Sequence, residues 1–248
     1  MASIVIYAAM SLYVTQHKEM IVQEQISDMQ NNIRAAAEVI AKAARMAGYN
    51  TPKTMNALET YNTNPDTIVI TYDSGNLEGV TLVYPMASVL ADLRCDGYNL
   101  DRIPAQDWVY LYDDDAEVGE FVSVTHVAGT DILQHTSMPT TRLYPAGTKV
   151  IKINRIKFFV DQSNTDHPTL MLQTYGSMPA VFAENIIALN FRYFLENGSI
   201  VTQTASPGSI RMVEIDVVGR TDAPDSEFAE NYRTRNFNLR VKVRNLAL

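Results

Sequence analysis

The sequence predicts an α+β fold, with one long N-terminal helix packed on an antiparallel, β-rich head. Three observations carry that expectation. Small and apolar residues recur at spacings of three and four from Ile26 to Ala47. Short β-type runs separated by Gly, Asn, Asp and Pro fill the middle of the chain, and the last segments alternate apolar with polar residues at period two. The resulting division is a helix over 1–47, a polar connecting loop over 48–66 and a globular head over 67–248.

The helix is the most specific element. Ile26, Met29, Ile33, Ala36, Ile40, Ala43 and Ala47 fall on one stripe, which predicts the face that packs on the head. Alanines at 36, 43, 44 and 47 let a second layer approach closely. Glu24, Asp28, Arg34, Glu38, Lys42 and Arg45 lie mostly off the stripe, and Glu38 and Lys42 pair one turn apart. Gly48 suits a left-handed C′ position, Arg45 complements the negative helix end and Pro52 prevents continuation, so the helix ends near Ala47. Its start has no convincing cap, since Ser3 is followed three positions later by Ile6 rather than by Glu or Gln.

From Ile4 to Val14 the segment is apolar almost all round, and from Gln16 it becomes amphipathic. Continuous from Ser3 to Ala47, it would reach ~65 Å, longer than a small domain is wide, so its first half must protrude toward a membrane or other helices. A break near Thr15 to Lys18, with both pieces packed on one domain, satisfies the same pattern. The apolar run is shorter than the ~20 residues that span a bilayer. It also lacks the basic region and cleavage site of a secretory signal.

Beyond the loop, strands are expected at 65–73, 78–84, 107–113, 120–127, 148–161 and 168–174. The segment 185–201 reads as strand, Asn197-Gly198 tight turn, strand, and 210–221 and 236–248 alternate cleanly. In the last, Phe237, Leu239, Val241 and Val243 face one way and Arg240, Lys242 and Arg244 the other, giving a sheet with one wet side. The stretch 85–104 is ambiguous, with "MASVLADLR" suited to a helical turn or two.

Composition narrows the function classes. The net charge of −8 argues against a general nucleic-acid binder, which needs a basic footprint. Cys95 is the only cysteine, so there is no internal disulfide and no thiolate metal cluster. The histidines at 17, 126, 135 and 167 have no ligand spacing, and no nucleophile elbow or phosphate-binding glycine loop appears. No cofactor is expected. Two acidic clusters offer hard oxygen ligands of the kind calcium takes: Asp73, Asn76 and Glu78 around a glycine, and Asp113, Asp114, Asp115, Glu117 and Glu120 between two strands. Neither has the spacing of a calcium-binding EF loop, and both read more simply as polar turns. Asn197-Gly198-Ser199 matches a glycosylation acceptor that the hairpin turn explains equally.

The wording of several segments adds a resemblance. "NIRAAAEVIAKAARMAGYN", "FFVD" leading to "PTLMLQT", "FAENIIALNFRYFLENG" and "IRMVEIDVVGRTDAP" leading to "RTRNFNLRVKVRNLAL" stand in this order across the chain. Together they resemble type IV pilin-like proteins, most closely the PilW-like minor pilins, which are related to the J-type minor pseudopilins of type II secretion. The resemblance implies a non-enzymatic structural subunit that helps initiate, prime or cap type IV pilus assembly. Alternatives are a minor pseudopilin of type II secretion or a soluble β-rich ligand-binding domain.

Implied partners are other minor and major pilins, the inner membrane and the pilus assembly machinery, with the head in the periplasm and later at the cell surface. On this reading Ile4, Val5, Ile6, Met10, Leu12 and Val14 anchor the subunit and pack in the filament core. The sequence departs from the family where a basic leader, a Gly-Phe processing site and an early glutamate are expected; "MASIVIYAAMSLYV" is similar to the second part of the family's hydrophobic segment.

Overall fold

A computed structural model describes residues 2–75, 77, 79–96, 100, 103, 107–129, 131–135, 139–225, 228 and 231–246, with residues 2–5 described by backbone alone. Helix α1 runs unbroken from Ala2 to Met46, ~68 Å at the usual rise. The break allowed near Thr15 does not occur; the Thr15 hydroxyl donates to the Ser11 carbonyl of the preceding turn at 3.0 Å. Gly48 takes the left-handed conformation expected of it (φ +79°), and its amide donates to the Thr71 carbonyl at 3.0 Å. Helix end and sheet are thus joined at one point.

Two short strands follow, β1 (Leu58–Tyr61) and β2 (Thr67–Asp73), paired antiparallel. Strand β1 lies inside the segment expected to be loop. It is only four residues long and embedded in polar sequence, yet Leu58 and Thr60 are buried while Tyr61 is exposed. The chain then leaves for an inserted lobe containing β3 (Leu93–Arg94), β4 (Asp107–Asp113), β5 (Val118–Val124), β6 (His126–Ala128), β7 (Ile132–Gln134) and β8 (Lys149–Ile151). These strands make two three-stranded sheets, ordered β5-β4-β8 and β3-β7-β6. They enclose a separate core of residues including Leu82, Leu93, Leu111, Val122, Leu133 and Tyr144.

The chain returns as β9 (Ile153–Asp161), which pairs with β2 so that Asp73 lies opposite Ile153. With β10 (Thr169–Thr174) and β11 (Ala180–Glu184) this completes a five-stranded sheet, β1-β2-β9-β10-β11. Finally β12 (Ile186–Leu195), β13 (Ile200–Val201), β14 (Ile210–Arg220) and β15 (Thr234–Lys242) form a four-stranded sheet ordered β13-β12-β14-β15. Every pairing is antiparallel.

The main core lies between α1 and the two larger sheets. Met29, Ile33, Ala36, Ile40, Ala43 and Ala47 are all buried there, with Ile26 at the margin; Ala37, Ala41 and Ala44 widen the buried face. Phe191, Tyr193, Val213, Ile215, Val217 and Val241 meet it from the four-stranded sheet. Close approach explains the glycine in β14: a Cβ on Gly219 would lie 2.7 Å from Ile33 Cγ1. Asp66 ties the sheets together. Its amide donates to the Leu189 carbonyl at 2.8 Å, and its carboxylate accepts the Phe191 amide at 2.8 Å. Burial raises that carboxyl's pKa, against the lowering effect of the Phe191 bond.

Four local expectations change. The described residues of 78–84 form no strand: Thr81 and Leu82 make only isolated bridges, to Lys149 and Cys95, while Val83 and Tyr84 are exposed. "MASVLADLR" forms no helix: Val89 and Leu90 are exposed between buried Met86 and Leu93, and the segment turns at Ser88–Ala91 before entering β3. The run 148–161 is two strands in different sheets, divided at Lys152, and 120–127 is likewise divided at Thr125. The Asn197-Gly198 hairpin is present, but only Gly198 has positive φ (+82°). The Leu195 amide donates to the Ser199 carbonyl at 2.9 Å around a three-residue connection, and the Asn197 side chain accepts the Ser199 amide at 2.9 Å. This is a turn followed by a left-handed glycine rather than a two-residue hairpin.

Candidate functional site on the free half of the helix

Helix α1 has two halves with opposite surroundings. Beyond Ile26 it is embedded in the head, whereas every side chain from Ile6 to Ile21 is exposed. Of the residues expected to anchor or pack, Ile6, Met10, Leu12 and Val14 are 62%, 69%, 59% and 51% exposed. The side chains of Ile4 and Val5 lie outside the described residues. Tyr7, Tyr13, Met20 and Ile21 share this exposure and were not among the expected site residues. Tyrosine carries an apolar ring under a polar label, and Met20 and Ile21 sit where the pattern has already turned amphipathic.

No Asp, Glu, Lys or Arg precedes Lys18, so this stretch has no charged side chain to hold it in water. Helices in proteins owe most of their stability to packing of an apolar face, and an unpacked segment is marginal in water. The exposed half has the surface of a packed helix without the packing. No helix among the described residues is long and apolar enough to cross a membrane.

At the root of the free half, Ile21, Val22 and Ile26 face Ala223 and Pro224 across an open crevice of about 500 Å³. Arg233 Nε donates to Asp225 Oδ2 at 2.6 Å on its far wall. Lys18, Glu19, Gln23 and Gln25 line the same crevice, so the apolar stripe of the head-packing half gives way to mixed polar and apolar side chains where the free half begins.

The other candidates are dispersed and locally occupied. Asp73 is buried; its carboxylate accepts Asn50 Nδ2 at 2.6 Å and the Gly75 amide at 2.9 Å, fixing the turn at the end of β2. Asn76 and Glu78, proposed with it as calcium ligands, lie outside the described residues. In the second acidic cluster Asp113 accepts the Asp115 and Ala116 amides at 3.1 and 3.2 Å, Asp114 pairs with Lys149, and Glu120 accepts the Thr141 amide at 3.0 and 2.9 Å. Among the described residues no three His, Cys, Asp or Glu side chains gather as a metal site.

His135 is buried against the Ala91 carbonyl, His167 faces Asp222, and His17 stacks on Tyr13 of the free helix. Cys95 is buried in the inserted lobe, and burial, with Asp96 and Asp131 nearby, pushes its thiol up to about 12. On the wet face of the four-stranded sheet, Arg240 and Arg192 flank Glu214, and Arg240 also covers the Phe194 ring. Compared with protein families, characterised proteins and solved structures, the chain matches none.

Proposed function

We propose that the chain is a non-enzymatic, pilin-like assembly subunit, whose free half-helix anchors it in the inner membrane and then packs among equivalent helices of a pilus or pseudopilus. A single observation carries this reading: one unbroken helix is buried on one face through its second half and exposed through its first, where no charged side chain stands before Lys18 and the exposed residues include Ile6, Tyr7, Met10, Leu12, Tyr13 and Val14. The order of segments that resembles the PilW-like minor pilins supports the same reading, as does the crevice at the helix root, which suits the end of a neighbouring helix. The mechanism is burial. Exchange of lipid for helix neighbours changes little hydrophobic energy, so side-chain packing and polar pairing decide which helices associate.

The test is recovery of the native protein from membranes of its source cells and determination of its N-terminus by mass spectrometry. A methylated residue upstream of Met1, followed by further apolar sequence, is expected. A native product that begins at Met1 would contradict the pilin reading and favour a ligand-binding head that works in solution.

A further inference from the structure

The outer face of the five-stranded sheet carries an open cleft of about 570 Å³, away from the helix. Tyr61 of β1 borders it on one side and Tyr175, just after β10, on the other, with Arg155, Lys157, Gln173 and Thr174 between them. The register explains the grouping, since Lys157 pairs with Val69 on one side and Gln173 on the other.

Both sides of the cleft are fixed before any ligand arrives. Arg155 Nη2 donates to both oxygens of Glu59, at 2.8 and 3.0 Å, and Tyr61 Oη donates to the same carboxylate at 2.8 Å. This network reaches over β2 and holds the Tyr61 ring. Opposite, the Tyr175 ring stacks on Phe121 with centroids 3.9 Å apart and meets Trp108 edge-on at 5.1 Å. The wall is closed at Gly176, where positive φ (+77°) combines with a neighbour so near that a Cβ would fall 1.9 Å from Trp108 Nε1. Lys157 differs from Arg155. Its ammonium lies 4.7 Å over the Phe159 ring and enters no ion pair among the described residues.

We propose that this cleft binds an acidic saccharide, with Lys157 meeting the sugar carboxylate, Gln173 and Thr174 meeting hydroxyls, and the tyrosine rings bordering the sugar rings. A site of this kind combines aromatic surface with a few placed polar groups. A nucleic acid fits less well, because Glu59 offsets Arg155 and the one remaining cation is too little for a phosphate backbone in a chain of net charge −8. A peptide fits less well too. Strands β2, β9 and β10 are each paired on both sides, so the cleft floor offers no free main-chain ladder for strand addition.

Trp108 is the only tryptophan and packs against the cleft wall, so its fluorescence reports on the site. The full chain is titrated with tetragalacturonate and with sialyllactose, with maltotetraose as the neutral control and calorimetry to catch binding that leaves fluorescence unchanged. A saturable response to one of the acidic sugars is expected, weakened by added salt and by roughly tenfold or more in Lys157→Gln. Tyr61→Ala should weaken it as well, and unchanged circular dichroism and melting would certify that both variants fold.

Absence of saturable binding by either acidic sugar would overturn the proposal, as would equal binding of maltotetraose or unchanged affinity in Lys157→Gln. Lys157-dependent binding of an acidic hexapeptide in place of the sugars would reassign the cleft to peptide. The cleft belongs to the head, so these outcomes are independent of the role of the helix.

Discussion

Glu214 is a carboxylate 1% exposed beneath two arginines that are themselves 58% exposed. Burial disfavours its charge, but hydrogen bonds from Arg240 and Asn238 and the nearby Arg192 charge outweigh that and hold its pKa below the ordinary value. Its stabilising contribution is therefore complete above about 4.5 and is lost as pH falls through the lowered folded value. Glu214→Gln should cost ~1–2 kcal/mol at neutral pH by denaturant melting, less in high salt because the arginines are open to solvent, and should flatten the acid limb of the stability curve.

Cys95 has the opposite sign. Its raised pKa means that folding favours the neutral thiol, a preference fully present below pH 9 and lost as pH rises toward 12. Native protein should resist iodoacetamide at pH 8 and react fully only in denaturant, which mass spectrometry reads directly. The basic strand face that the sequence displayed as Arg240, Lys242 and Arg244 is partly neutralised at Glu214, a pairing across strands that no single strand reveals.

At the scale of elements, the two halves of α1 should respond differently to the same kind of mutation. Ile33→Ala opens a void against Gly219 and the four-stranded sheet and should cost ~2–5 kcal/mol. Leu12→Ser removes an exposed side chain and should change the stability of the isolated protein by less than ~0.5 kcal/mol. If the free half is an assembly surface, Leu12→Ser should nevertheless reduce recovery of the protein with membranes or filaments, measured by fractionation.

The helix was legible because its period, its alanines and its glycine stop all agree, and the packing stripe from Met29 to Ala47 is buried as expected. The strands were legible where alternation is long, as in β14 and β15. Strand β1 was not, because four residues in a polar segment become a strand only when Leu58 pairs opposite Ile70. The division at Lys152 was not legible either. One continuous β-type run of mixed polar and apolar residues serves two sheets there, and only the tertiary placement of Trp108 and Asp107, which hold the Lys152 ammonium, marks the change. The cleft between Tyr61 and Tyr175 was not legible because its residues come from four strands, β1 and β2 on one side of the inserted lobe in sequence and β9 and β10 on the other.

Across the whole molecule, two appendages attach at opposite ends of one helix. The free half extends from the N-terminal end, and the inserted lobe leaves β2 beside Gly48 and Tyr49, where the Asp73 amide donates to the Tyr49 carbonyl at 2.9 Å. On the proposed reading, the first half of the helix is buried among neighbours while the inserted lobe and the sheet faces turned away from the helix remain outward. The most direct test places a photo-crosslinking phenylalanine analogue at Met10 in the full chain and irradiates the source cells. The account predicts adducts to other helical subunits or to lipid, lost when the analogue is moved to buried Ile40. Adducts confined to the protein's own head, or none at all, would show that the free half has no partner and would contradict the assembly role.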